Sequence, residues 1–306
     1  IDELIGKSLR DIERYGYRDL AQTAISLAKI MDKVSNRGKR KGSTEQILQE
    51  VFTGNSSQNK EFIFNKLAAA SMPILHEFEP RSLSNVTYAF GLAEVIIPVK
   101  DGVTFFDILA EAAIPNLQLY NSRDLSNMLW AYANVGVSHG ALFKKVADHV
   151  TISFDALTPQ TLSNIVWSYA TLNEKNPGLF KKFADHIVGL DSLERFKSQE
   201  ISNIVWAYAN AGESHPKLFK KVANHIVTLD NLDRFDPQAI SNTVWSYAKA
   251  GEPHSKLFQT LADHIIAQDN LNRFMPQELA NTVWSYATAG VSHPKLFEKV
   301  GNHIVS

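Results

Sequence analysis

The phrase ISNTVWSYAKAGEPHSKLF, residues 240–258, sets a tryptophan and a tyrosine two apart, after an asparagine and ahead of a glycine and a histidine. Alone it could be a base-stacking platform, a metal site or a piece of core. It is not alone. LSNMLWAYANVGVSH (125–139), LSNIVWSYATLNEKN (162–176), ISNIVWAYANAGESH (201–215) and LANTVWSYATAGVSH (279–293) repeat it. From Trp130 through Trp167, Trp206 and Trp245 to Trp284, the tryptophans stand 37, 39, 39 and 39 residues apart. Weaker copies lie upstream: LSNVTYAFGLA from Leu83, with Tyr88 in the tryptophan place, and LAQTAISLAKI from Leu20, with Ile25 there. A fixed period of roughly 20–50 residues is the mark of a solenoid, so the repeat has to be read before any single motif.

Each copy reads as two helices. With Leu162 at zero on a wheel turning about 100° per residue, Ile165, Val166, Tyr169 and Ala170 fall within about 80° of it and form one apolar stripe. Pro159 after Thr158, and Pro237 after Asp236, supply an N-cap followed by an N1 proline. Gly136, Gly212, Gly251 and Gly290 end four of these first helices. The second helix opens at His215-Pro216, His293-Pro294 or Asn176-Pro177, and Leu218, Phe219, Val222 and Ile226 make its apolar side. Neither helix covers its own apolar face, so stacking on neighbouring repeats must hold the array together.

The sequence therefore predicts an all-α fold: a right-handed α-solenoid of about seven two-helix repeats of about 39 residues, a single array over 1–306. Its repeats start near residues 19, 82, 124, 160, 199, 238 and 277. The first helix is expected over about 19–31, its partner from about 61, with an insertion at 32–60 between them. That insertion reads as a loop carrying Arg37, Lys39, Arg40 and Lys41, then a Ser43/Thr44 cap and a short helix from Glu45 to Phe52.

Composition narrows the function. The 306 residues are 44% apolar, enough for a substantial core, and 31 basic residues face 32 acidic ones for a net charge of −1. Residues 101–306 hold 17 basic and 20 acidic residues, so no global field draws this part towards nucleic acid or anionic lipid. The absence of cysteine excludes disulfides, thiolate nucleophiles and cysteine-ligated metal, and fits a reducing compartment. No apolar run approaches the roughly 18 residues that span a bilayer. The chain opens IDELIGKSLR without an initiator methionine and reads as a segment of a longer protein, with any transit peptide outside it.

The repeated phrase Leu-Ser-Asn-x-Val-Trp-x-Tyr-Ala-x-Ala-Gly, with its second helix and a Phe-x-Pro-Gln-Glu-like lead into the next copy, resembles the octotricopeptide-type repeat. Such repeats occur in organellar RNA-binding proteins of algae, and related ones accompany the RAP domain in apicomplexans and animals. The resemblance covers about residues 19–306 and is strongest over 122–306. The family's Pro-Pro-Pro-Glu-Trp signature and a C-terminal RAP domain do not appear. The resemblance implies single-stranded RNA read at about one base per repeat, to guide transcript maturation, stability or translation in a mitochondrion or plastid.

Candidate residues follow from the wheel. Asn85, Asn127, Asn164, Asn203, Asn242 and Asn281 share one place in six repeats, opposite the apolar stripe, with Gln22 there in the first. They read either as amides offering donors and acceptors to bases or as a hydrogen-bond ladder between repeats. Beside them lie residues that vary: Asp124, Thr161, Glu200, Ala239 and Glu278 on one side, and Asn134, Thr171, Asn210, Lys249 and Thr288 on the other. If the chain reads a sequence, these must carry it; their other reading is a solvated helix face. The tryptophans sit at the edge of the stripe and read as packing between repeats rather than base platforms. The loop residues Arg37, Lys39, Arg40 and Lys41 are the one undiluted basic patch, a phosphate contact or simply a solvated loop.

Histidines recur in two places. His139, His215, His254 and His293 lie at second-helix starts, and His149, His186, His225, His264 and His303 lie within those helices. Copies one repeat apart are separated by roughly a helix-packing distance of 8–10 Å, too far to share a metal, so no metal is expected. Lysine pairs such as Lys144-Lys145 and Lys181-Lys182 have Asp148 and Asp185 four residues on, a spacing that pairs charge on one helix. No catalytic motif appears. The expectation is a non-enzymatic binder of single-stranded RNA, without cofactor, membrane or small-molecule substrate. The alternative is a protein-binding scaffold within an organellar ribosome or another large assembly.

Overall fold

The computed structural model describes residues 11–37, 56–151 and 157–305. The chain divides into two compact units, Ile1–Ile152 and Ser153–Ser306. In unit 1, α1 (Tyr17–Arg37) and α2 (Ser56–Ser71) are followed by α3 (Pro80–Leu92) and α4 (Phe105–Ala113), then α5 (Ser122–Val135) and α6 (Gly140–Val150). Unit 2 holds α7 (Pro159–Thr171), α8 (Pro177–Gly189), α9 (Ser198–Ala211), α10 (Pro216–Val227), α11 (Pro237–Ala250), α12 (Ser255–Ala267), α13 (Pro276–Thr288) and α14 (Pro294–Val305). This is an all-α stack of two-helix repeats. The odd-numbered (A) helices carry the Trp–Tyr phrase or its weaker copies; the even-numbered (B) helices follow it.

Within each unit, successive A helices pack directly on one another. Small side chains permit the approach. Ser84, Ser126, Ser163, Ser202 and Ser241 are buried, as are Ala131, Ala170, Ala207 and Ala209. Where α3 crosses α5 the space vanishes: a Cβ on Gly91 would lie 2.5 Å from both Cα and Cβ of Ala131. Cross-repeat hydrogen bonds fix the register. Ser84 Oγ donates to the Asp124 carbonyl (2.9 Å), and the amides of Asn134 and Asn210 donate to the carbonyls of Gly91 (3.1 Å) and Ala170 (3.0 Å) on the preceding A helix.

A second lock ties each A helix to the B helix before it. The buried hydroxyls of Tyr132, Tyr208, Tyr247 and Tyr286 donate to the carbonyls of Phe106, Phe180, Phe219 and Phe258 at 2.5–2.6 Å. The same pairs of rings meet edge to face, with centroids 4.9–5.1 Å apart. Burial pushes all four phenols far above the ordinary tyrosine range, so each stays a neutral donor.

Helix ends obey their sequence signals. Asn121, Thr158 and Asp236 accept from the N3 backbone N–H at 2.9, 3.2 and 2.7 Å. Gly136, Gly212 and Gly251 close their helices at φ near 70°. Two features depart from the sequence reading. The first helix continues through Asp32–Arg37 and the second begins at Ser56, because nothing breaks a helix before Gly38. A β-hairpin that the reading lacked pairs β1 (Pro98–Lys100) with β2 (Val103–Thr104). Its turn is Asp101-Gly102, both at positive φ (51° and 81°), the geometry that Asp-Gly favours. The expected helix at Glu45–Phe52 lies outside the described residues.

Tyr208→Phe keeps the ring contact and removes only the hydroxyl. It is expected to cost about 1 kcal/mol, read as a lower urea midpoint at unchanged m-value, while Tyr15→Phe at the chain start changes nothing.

Candidate nucleic-acid interface

Neighbours on several sides cover most of each A helix. What remains is a narrow line at i, i+4, i+7 and i+11, which successive helical turns place on one face. On α7 it runs Gln160, Asn164, Trp167 and Thr171, and on α9 Gln199, Asn203, Trp206 and Asn210. On α11 it is Gln238, Asn242, Trp245 and Lys249; on α13 it is Gln277, Asn281, Trp284 and Thr288. The glutamines are exposed and the asparagines half-buried. Unit 1 has the same line with a cation at its head: Arg81, Asn85 and Tyr88 on α3, and Arg123, Asn127, Trp130 and Asn134 on α5. On α1 the head is Arg18, already bonded to Glu79 at 2.7 Å, with Gln22 bonded to Ser26.

The six asparagines form no ladder. The side-chain amides of Asn85, Asn127, Asn164, Asn203, Asn242 and Asn281 make no hydrogen bond among the described residues, and the four glutamine side chains make none either. The ladder exists one position earlier and seven positions later, through Ser84, Asn134 and Asn210.

The varying residues divide. Asp124, Thr161, Glu200 and Ala239 are buried at the third position of their helices, and Glu278 is half-buried there. Their work is local: Glu200 and Glu278 accept from the backbone N–H of Lys197 (2.8 Å) and Met275 (2.7 Å), and Thr161 bonds Thr158. Burial pushes the Asp124 carboxyl up, with Arg81 and Arg123 opposing. These side chains serve helix starts and lie off the exposed line; on α5 it is the preceding A helix that lies on that flank, where Ser84 donates to the Asp124 carbonyl. Thr171, Lys249 and Thr288 are exposed at the far end of the line, whereas Asn134 and Asn210 are held by carbonyls. Arg37 ends α1 in backbone terms; Lys39, Arg40 and Lys41 lie outside the described residues.

The sequence reading missed the head of the line. Gln160, Gln199, Gln238 and Gln277 stand 39 residues apart, two positions before the leading Leu or Ile, and that period was the available signal. The aromatic member is mainly packing. Trp206 stacks against Trp245 at 6.4 Å and 28°, and Tyr88 meets Trp130 at 5.0 Å. Trp284, on the last A helix of the structure, is 46% exposed, the others only partly.

Histidine and lysine are joints between repeats. Nδ1 of His139, His215 and His254 accepts the N3 backbone N–H at 3.2–3.3 Å, and Asn176 fills the same place at 3.0 Å. Nε2 of His139, His215 and His293 faces Glu111, Asp185 and Asp263 at 3.4, 3.2 and 3.6 Å. Lys181 and His215 hold the Asp185 carboxyl below its ordinary range. Lys144 and Lys181 pair with Asp148 (3.5 Å) and Asp185 (2.6 Å). Lys221 reaches the carbonyls of Val188 and Leu190, and Lys299 those of Ile266 and Gln268, closing the preceding B helices. No cluster of three metal-ligating side chains occurs among the described residues. No helix there is long and apolar enough to cross a membrane.

Residues 193–306 match the family model of the RNA-editing substrate-binding complex 6 protein. The match takes in α9 to α14, where the Gln–Asn–Trp line is most regular. No curated protein matches the chain.

Two outcomes test these joints. His215→Ala is expected to cost about 1 kcal/mol through loss of the cap, and His215→Asn to restore most of it, read from urea midpoints. Burial holds the half-buried His225 and His264 imidazoles below the ordinary histidine range. The unfolded chain then binds more protons in acid, so this stabilisation is full above about pH 6.5 and is lost as pH falls through the lower folded values. The melting temperature should fall between about pH 7 and pH 5, and fall less in the double variant His225→Gln/His264→Gln.

Proposed function

We propose that this protein is a non-enzymatic, cofactor-free subunit of a larger protein–RNA assembly and binds single-stranded RNA on the exposed lines of its A helices. The observation that carries this reading is the row of asparagine carboxamides with no side-chain partner, each between an exposed Gln or Arg and an aromatic ring. A carboxamide offers a donor and an acceptor side by side, the pattern that a base edge requires. Ring edges beside it suit unpaired bases. The partial match to an RNA-editing substrate-binding complex protein supports an RNA-related role within a complex. The octotricopeptide-like phrase supports action in an organelle, on transcript maturation, stability or translation.

Charge shapes the mode of binding. In unit 2 the line carries one cation, Lys249; in unit 1 it carries Arg18, paired with Glu79, and the exposed Lys29, Arg81 and Arg123. Phosphate contacts are therefore few, and affinity rests more on bases than on backbone. The near-neutral line of unit 2 also favours a second reading, a protein-binding scaffold.

Filter binding over a salt series separates the two. RNA binding is expected with a shallow slope, since each phosphate contact on a single strand contributes roughly −0.7. Replacing both Arg81 and Arg123 by Gln should flatten the slope by about 1.4 and leave the fold unchanged. Retention of no RNA at any salt concentration overturns the RNA reading and leaves the scaffold.

A further inference from the structure

We infer that unit 2 recognises a uniform pyrimidine tract rather than a mixed base sequence. The inference rests on the RNA reading above and specifies its ligand.

The first ground is chemical identity. Four successive repeats present the same three groups in the same order: Gln160, Asn164 and Trp167; Gln199, Asn203 and Trp206; then Gln238 with Asn242 and Trp245, and Gln277 with Asn281 and Trp284. Identical groups at equivalent places prefer the same base. The residues able to differentiate repeats are buried, or stand at the far end of the line. Thr161, Glu200 and Ala239 are buried, and Asn210 is held by the Ala170 carbonyl. Thr171, Lys249 and Thr288 stand seven residues past the asparagine, about 10 Å along the helix axis. A face that varies so little along its length repeats one preference.

The second ground is spacing. The ring centroids of Trp206 and Trp245, one repeat apart, are 6.4 Å from each other. That is nearly twice the rise of about 3.4 Å between stacked bases, so a strand advancing one nucleotide per repeat cannot keep its bases stacked on each other. Nor can a base slip between these two indoles, which already stack at 28°. Bases must meet the line by their edges, unstacked. Unstacking costs least for pyrimidines, whose stacking is weakest, and flexible pyrimidine runs follow an extended path most readily. Uracil presents an N3–H beside an O4 acceptor, and cytosine an amino group beside N3. A carboxamide can donate and accept across the first pair and do the same across the second.

The test uses the full chain and end-labelled oligonucleotides of equal length, with fluorescence anisotropy at one salt concentration. Oligo(U) and oligo(C) should bind about tenfold or more tighter than oligo(A) and than a mixed sequence of the same length, because purines must first be unstacked at greater cost. Gln199→Ala/Asn203→Ala and Gln238→Ala/Asn242→Ala should weaken the pyrimidine tract by the same factor, because each removes the same contact. In both pairs the glutamine is exposed and the asparagine half-buried, and an unchanged melting temperature confirms folding. Equal affinity for all RNAs, tighter binding of a mixed sequence or of oligo(A), or unequal losses from the two double variants overturns the inference while RNA binding stands. Failure to bind any RNA removes both.

Discussion

The structure depends on a hydroxyl that cannot be left alone. The tyrosine two residues after each tryptophan is fully buried, and a buried hydroxyl without a partner carries a desolvation cost that no ring packing offsets. Tyr132, Tyr208, Tyr247 and Tyr286 resolve it by reaching back to a phenylalanine carbonyl on the preceding B helix. One donor thereby fixes the distance and angle of each hairpin against the last. The edge-to-face ring contact in the same pair makes the placement stiff as well as satisfied. The small residues of the A helices let their backbones close to the limit that Gly91 and Ala131 mark. Repeats linked this way are stable only as an array, which is why the phrase recurs at a constant step.

Close packing then decides what is left for recognition. An A helix flanked by two others and by B helices has little free circumference, so its exposed surface shrinks to one line of side chains. This explains why the glutamine, asparagine and tryptophan of the line are so uniform while their neighbours vary: the neighbours answer to helix starts and inter-repeat bonds. It also explains the roles of histidine and lysine. At this spacing a histidine one repeat from the next cannot share a metal, but it can cap its own helix through Nδ1 and face an acid on the previous one through Nε2.

The period, the pairing of helices, the prolines after the caps and the closing glycines were legible in the sequence because each depends on local chemistry or on simple repetition. The side of the helix that Asp124, Thr161 and Glu200 occupy was not. A helical wheel ranks a residue by its angle from the apolar stripe; it does not know that a neighbouring repeat covers one flank of the polar side. The inter-repeat bonds of Asn134 and Asn210 were hidden for the same reason, since a carbonyl more than 40 residues back or 40 residues back (Gly91 and Ala170) leaves no trace in composition. The Asp101-Gly102 hairpin and the glutamine row were visible signals that lay outside the repeated phrase, one in a lengthened connection and one just ahead of the leading Leu or Ile.

The two units differ at the head of this line, and the difference is consequential. A guanidinium heads the line on α3 and α5, an uncharged carboxamide on α7, α9, α11 and α13. Guanidinium seeks phosphate, which every nucleotide carries, so it anchors without discriminating. Carboxamide has no net charge to offer and gains only where a donor and an acceptor lie side by side, as on a base. The substitution of Gln for Arg along one line therefore separates holding from reading, with no change in backbone. The same regularity that makes the array foldable limits what the reading half can say: a surface copied from repeat to repeat distinguishes one kind of nucleotide from another, but not one order of nucleotides from another.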